Sequence, residues 1–420
     1  MKRVLVSLAM SLAMAGIAIA APVTLTLGYP SGDSKVDIMK DIVKEFEKRH
    51  NNQIKVNVVV VPIANQASAW GSYFDKLQTM IAGGNSPDVV RIAIEGIQTF
   101  VARDLALPLD EYMKSDPTAL ENYGDLAPKL QAPFVIGGKT YGFVWDWNNV
   151  VIHINTDLLK AAHLPVPGPN WTLDDFLKYA KALTGTFNGQ QVFGFAVPNY
   201  YFGTEGWLYA NGAGMLSDDQ KRGALDDPKA MQVIQLFHDL IYKYKVSPVP
   251  DPQADPVNLL YSGKVAMIAA GRWPFGTYAP NNFTAVALQY IPLMASPRKV
   301  VFGCGAFPVV KATAHPKEAY ELSAFLSGSY SQKTGIAIDS IPCRISVMKQ
   351  VLPSTKGQNW QIFQQSADIA LAVQSPPGYP EVAGIFDRYT SAVYADQMDV
   401  PTAMKKASDE MTQVLGSQNQ

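Results

Sequence analysis

Three short segments crowd aromatic rings against polar side chains: Trp145-Asp146-Trp147-Asn148-Asn149, Tyr200-Tyr201-Phe202-Gly203-Thr204-Glu205-Gly206-Trp207 and Gly271-Arg272-Trp273-Pro274-Phe275-Gly276. The chemistry such clusters serve is recognition. A ring plane stacks on the apolar face of a ligand while neighbouring Asp, Glu, Asn and Arg hydrogen-bond its rim. A sugar ring combines such a face with such a rim. Core packing is the ordinary alternative use of any single Trp. Each cluster lies among Gly, Pro or Asn, so three loop-borne clusters are expected, and together they favour a binding surface.

Residue patterns for bond-breaking are sparse. The five histidines, His50, His153, His163, His238 and His315, form no HExxH and no close pair, so a metal centre lacks its usual ligands. No GxSxG elbow is present. Gly138-Lys139-Thr140 lacks the earlier Gly of a phosphate loop, Pro133 standing there, and reads as a hairpin turn. His238 falls on an apolar helical stripe and reads as a satisfied core histidine. Two acids cooperating as in glycosidases remain open, because such a pair can come from anywhere in the chain. Adjacent Tyr200 and Tyr201 allow ferric-ion capture as a variant, and Arg272 with Arg344 allows a phosphorylated ligand of the glycerol-phosphate kind.

Elements that would position these residues are legible from periodicity. Val23–Gly28 and Gln53–Pro62 read as strands. Between them Met39, Ile42, Val43 and Phe46 recur at helical spacing. Phe74, Leu77, Met80 and Ile81 mark a second helix, stopped by Gly83-Gly84, before a strand over 88–94. Strand and helix in alternation predict an α/β fold with a parallel sheet. Further on, Val150–Ile154 and Val265–Ala270 read as strands. Helices open at Thr172 with Asp175 as its capping partner, at Asp227-Pro228, at His315-Pro316 and after Pro401.

The chain has 420 residues, 48% hydrophobic and 17% charged, with 35 basic against 36 acidic side chains. That length predicts more than one lobe, and the charge balance argues against nucleic acid as a partner. Lys2-Arg3, the apolar run Val4–Ala20 and its Ala18-Ile19-Ala20 end read as a secretory signal cut near Ala20. A short membrane anchor is the alternative. In an exported protein Cys304 and Cys343 form either a disulfide or two buried thiols.

Four stretches carry a family resemblance. They are Leu105-Ala106-Leu107-Pro108-Leu109-Asp110, Lys139–Phe143 with the following Val151–Leu159 and Trp171–Thr184, Tyr261–Met267 through Trp273, and His315–Tyr320 with Ile341-Pro342-Cys343-Arg344. In order, they resemble the bacterial extracellular solute-binding proteins of sugar importers, the maltodextrin-binding type. The resemblance implies a two-lobed, Venus-flytrap α/β fold of the periplasmic-binding-protein kind, with a hinge between the lobes. After a signal peptide over 1–20, one lobe would comprise 21–145 plus 294–349 and the other 146–293 plus 350–420. It implies a monomeric periplasmic protein, neither enzyme nor membrane-embedded, without cofactor or metal. Such a protein captures a mono- or oligosaccharide and hands it to ABC transporter permease subunits. An exported polysaccharide-degrading enzyme is the competing class. By resemblance the ligand contacts are Asp33, Glu95, Trp145, Asp146, Tyr200, Phe202, Trp207, Asn211, Arg272, Trp273, Gly305, Arg344 and Phe386. Ile92 stands where maltodextrin binders carry an aromatic, which implies a different sugar.

Overall fold

A computed structural model describes residues 21–31, 35–62, 69–251, 254–336, 339–351, 359 and 361–417. The strands are β1 (Val23–Pro30), β2 (Ile54–Val61), β3 (Val89–Val90), β4 (Ile92–Ala93), β5 (Val135–Ile136), β6 (Lys139–Thr140), β7 (Val144–Asn149), β8 (Val151–Asn155), β9 (Gly185–Phe187), β10 (Gln190–Val192), β11 (Met267–Ala270), β12 (Val286–Gln289), β13 (Val300–Ala306), β14 (Ile341–Pro342) and β15 (Ala370–Ala372). The helices are α1 (Val36–Arg49), α2 (Ala69–Ala82), α3 (Ile94–Ala102), α4 (Asp110–Ser115), α5 (Pro128–Gln131), α6 (Thr156–Ala161), α7 (Leu173–Ala182), α8 (Tyr201–Ala210), α9 (Pro228–Tyr242), α10 (Pro256–Tyr261), α11 (Phe275–Tyr278), α12 (Pro316–Leu326), α13 (Ser329–Gly335), α14 (Ile345–Val351), α15 (Gln361–Ser366), α16 (Tyr379–Tyr394) and α17 (Val400–Ser417).

Two sheets anchor the two halves. The first has order β2-β1-β3, all parallel, with Leu27 opposite both Val58 and Val89. Helix α1 crosses between β1 and β2, and its stripe Met39, Ile42, Val43 and Phe46 is buried as its spacing predicts. The second sheet, β11-β8-β12, is antiparallel. Between them runs the order β14-β7-β13-β15, with β4 also paired to β13.

Local signals hold where they are strong. Thr172 and Asp175 form the reciprocal capping box of α7, and Asp227 caps α9 with Pro228 in its first turn. Gly137 and Gly138 take φ of 57° and 74° in the β5–β6 hairpin, a pair of left-handed positions that glycine fills without strain. His238 is half-buried instead of lying in the core, its Nε2 3.1 Å from Asp396 Oδ1.

Two expectations change. The 88–94 run is not one strand, because α3 starts at Ile94. The 200–207 segment is not a loop but helix α8, and Trp145–Asn149 lies within strand β7. Gly203 and Gly206 imitate loop punctuation. Gly206 is instead a packing residue, since a Cβ there would lie 3.0 Å from Ile291 and 3.2 Å from Val150.

Candidate functional site

The site grows from a knot of charge within β7. Asp146 is 4% exposed and receives Arg91 Nη2 at 2.5 Å and Lys35 Nζ at 3.3 Å. Lys35 also reaches Asp339 Oδ1 at 2.9 Å and Ser340 Oγ at 3.1 Å. Burial pushes the Asp146 carboxyl upward, but Arg91 and Lys35 outweigh it and hold the group below its usual value. The guanidinium of Arg91 lies over Trp145, 5.4 Å from the ring centroid, and 5.8 Å from that of Trp70. It crosses β13 at Gly305, where a Cβ would sit 1.6 Å from Nη1. Glycine at 305 is therefore the condition for the Arg91–Asp146 pair.

From this knot a polar line leads to the second half of the molecule. Asn148 donates Nδ2 to Ser340 Oγ at 3.2 Å and accepts from the Arg272 backbone amide at 2.8 Å. The Arg272 side chain donates to the Ser340 carbonyl. Trp273 follows, partly exposed, with Phe202 at a centroid distance of 6.1 Å and Tyr200 edge-on at 6.3 Å. Phe202 and Glu95 both approach Gly303, within 3.4 and 3.7 Å of the position its Cβ would take. A half-exposed aromatic wall thus borders a row of hydrogen-bonding groups.

Glu95, in the first turn of α3, is 6% exposed, and its Oε2 has no hydrogen-bond partner. Burial raises its carboxyl to about 7, against the pull of its own backbone amide and Arg91.

The site residues expected from sequence divide by what they touch. Glu95, Asp146, Arg272, Trp273, Tyr200, Phe202 and Gly305 converge on this region. Trp145 is fully buried beneath the ion pairs, its Nε1 3.0 Å from Ser331 Oγ. Trp207 lies in the second half's core against Phe176, Phe195 and Phe237, at 5.2, 5.6 and 5.5 Å. Phe386 is buried against Tyr201. Arg344, 0% exposed, serves the carbonyls of Ser327, Asn122 and Glu121 and the carboxylate of Asp125, which leaves it holding loops together. Asn211 caps the far end of α8 and binds the Lys229 carbonyl. Asp33 lies outside the described residues, as do residues 1–20, expected from the sequence to be a signal peptide.

Tyr200 and Tyr201 do not converge as iron-binding phenolates would, for one donates to the Ala269 carbonyl and the other to the Gln374 carbonyl. Among the described residues no group of three His, Cys, Asp or Glu is placed to hold a metal ion, and no helix is long and apolar enough to cross a membrane. Cys304 and Cys343 are free, buried thiols. Cys304 on β13 faces Trp147 of β7, whose other neighbour is β14, directly before Cys343. Two strand spacings, roughly 9.5 Å, exceed the Cα separation a disulfide spans.

Sequence reasoning missed Lys35, Arg91 and Ser340, and named Asn148 and Glu205 only as members of the aromatic clusters. Arg91 left a signal, a lone cation inside the apolar run Val89–Ile94. Ser340 left none, because its role exists only where α13 and β14 bring it beside Lys35.

The family model described as bacterial extracellular solute-binding protein matches residues 41–373. A probable ABC transporter-binding protein of Deinococcus radiodurans is 23% identical, with 94% of each chain covered. An ABC substrate-binding protein from Listeria monocytogenes, in complex with cycloalternan, superposes with a TM-score of 0.84 at 23% identity, over 94% of this chain and 99% of that one. An ABC transporter solute-binding protein from Thermotoga lettingae, bound with α-D-tagatose, gives a TM-score of 0.81 at 23% identity, over 94% and 100%. These likenesses carry the fold, which is the two-domain arrangement of such proteins. With the family model spanning most of its length, the chain belongs to the bacterial extracellular solute-binding proteins.

Proposed function

We propose that the protein captures a neutral mono- or oligosaccharide between its two lobes and presents it, chemically unchanged, to the permease of an ABC importer. The observation that carries this reading is a partly exposed Trp273–Phe202 wall beside a polar row whose charges already answer one another. Lys35 and Arg91 face Asp146 and Asp339, and Arg272 is engaged by the Ser340 carbonyl. A balanced row suits hydroxyl groups, and the rings suit a sugar's apolar face. Solved relatives bound to cycloalternan and tagatose agree in ligand class. The lobes on this reading are 21–145 plus 294–349 and 146–293 plus 350–420, in a periplasmic monomer released by cleavage near Ala20. A glycerol-phosphate ligand would need Arg344, which the loop carbonyls occupy.

A thermal-shift panel of maltotriose, mannobiose, tagatose and glycerol 3-phosphate tests the reading. A sugar at 100 times its dissociation constant adds about 2.7 kcal/mol of stability, and Trp273→Ala should abolish that shift. Stabilisation by glycerol 3-phosphate alone would replace the carbohydrate reading. Products appearing in the sugar incubations would make the protein an enzyme.

A further inference from the structure

Behind the turn that carries Trp273 sits a polar side chain outside the ligand site. His153 is 0% exposed on β8, the middle strand of the second sheet, where Val151, Ile152 and Ile154 are buried and apolar. It lies opposite Ile268 of β11 and Leu288 of β12. An imidazole in such a place costs free energy unless its ring nitrogens are hydrogen-bonded. Both are. Nε2 lies 2.7 Å from the Gly271 carbonyl oxygen, and Nδ1 lies 3.3 Å from the Tyr278 hydroxyl.

These two partners are the ends of one segment. Gly271 follows β11 directly and Tyr278 closes α11, so a single ring ties both ends of the stretch 271–278 to the sheet. Trp273 lies between them. Its ring folds over the bare α-carbon of Gly271, where a Cβ would come within 2.2 Å of Cζ3 and 2.6 Å of Cε3. One glycine therefore takes the imidazole at its carbonyl and the indole at its α-carbon. Phe275 packs against both the imidazole and Tyr278, at centroid distances of 5.7 and 5.2 Å. A carbonyl oxygen can only accept, which puts the ring proton on Nε2 and leaves Nδ1 to receive the Tyr278 hydroxyl. Burial pushes the imidazole down to about 4, so the ring is neutral near pH 7 and carries that one proton.

We propose that His153 is a positioning residue for ligand binding: the Tyr278–His153–Gly271 chain fixes the turn on which Trp273 presents its open face. The inference rests on the reading of Trp273 as a ligand contact. A binding group has to be held to within about 0.5 Å of its productive place. A turn released from the sheet at either end would not hold Trp273 so closely.

Fluorine NMR of the ligand-free chain carrying 5-fluorotryptophan tests the placement, with the Trp273 resonance assigned through Trp273→Phe. His153→Leu removes both hydrogen bonds and should shift or broaden that resonance. It should also weaken the best binder among maltotriose, mannobiose and tagatose by about tenfold, the equivalent of one buried hydrogen bond. His153→Gln, whose side-chain amide can donate where Nε2 does, should bring affinity back to within about threefold of the parent. Phe237→Leu, a core change against Trp207, should lower the melting temperature and leave both readouts alone. An unmoved Trp273 resonance in His153→Leu, or equal losses in His153→Leu and Phe237→Leu, overturns the proposal. Should His153→Leu not fold, Tyr278→Phe, which frees one end of the segment, is read against the same resonance with the same criterion. Nitrogen-15 spectra of the parent imidazole need no variant, and a proton on Nδ1 instead of Nε2 also overturns it. If no sugar binds while Trp273 still responds to His153, the carbohydrate reading falls and the positioning role stands. Sugar binding at parental strength in His153→Leu gives the reverse outcome.

Discussion

Helix α8 places two aromatic regions side by side and gives them opposite work. Phe202 and Trp207 are five residues apart, about 140° around the helix axis. Phe202 turns to the partly exposed ring of Trp273, whereas Trp207 turns into a nest of Phe176, Phe195 and Phe237. In sequence the two tryptophans carry the same signal, a large ring among glycines. Exposure separates them: Trp207 is fully buried, while Trp273 keeps a face open. The acids divide in the same manner. Asp146 is buried among cations and stays ionised below its usual value, whereas Glu205 is buried among phenols and rises. Burial alone fixes neither outcome; the partner does.

The sharpest break in this contrast is Trp207→Ala, which should cost about 3–5 kcal/mol of stability through the cavity it leaves. Denaturant midpoints would record that loss, and sugar affinity in the surviving folded fraction should stay within twofold of the parent. Asp146→Asn comes next. It leaves Arg91 and Lys35 buried with one carboxylate fewer, and removing one partner of a buried pair costs about 3–5 kcal/mol. Its pH signature has a defined sign. Stability from the depressed carboxyl is complete above its unfolded value of about 3.9 and disappears as pH falls through the lower folded value. Acid titration of unfolding should therefore show a step below pH 4 in the parent that Asp146→Asn lacks.

Trp273→Ala should invert the Trp207 result, losing about 2–4 kcal/mol of sugar affinity as a central aromatic anchor does. Calorimetry with the best sugar of the panel checks this, and a melting temperature near the parent's confirms that the fold is spared. Gly305→Ala is smaller. Its methyl group displaces the Arg91 guanidinium, an overpacking expected to cost about 1–3 kcal/mol. Smallest is Glu205→Gln, which imitates the protonated acid and should leave stability at pH 6 within about 0.5 kcal/mol of the parent. A large loss there would mean that Glu205 is held ionised, and the contrast with Asp146 would collapse.

Much of this molecule was legible in the chain. Amphipathic spacing placed α1 and α2, Thr172 and Asp227 marked helix starts, and Gly137-Gly138 marked a hairpin. These signals are local, because helical periodicity and caps depend on residues within a turn or two. The wall was legible in part, through Trp273 and Phe202, because the family resemblance and the aromatic clusters pointed to the same segments. What only the tertiary structure decided is which aromatic keeps a free face and which acid is pushed up or held down by its neighbours. Trp207 and Arg344 were read as ligand contacts, yet one packs among phenylalanines and the other holds loop carbonyls together. Ser340 left no mark, and Glu205 was read only as a member of an aromatic cluster, since their partners Lys35 and Gln374 lie 305 and 169 residues away. Burial and charge pairing are sums over neighbours in space, and neighbours in space are what folding, not spacing, assigns.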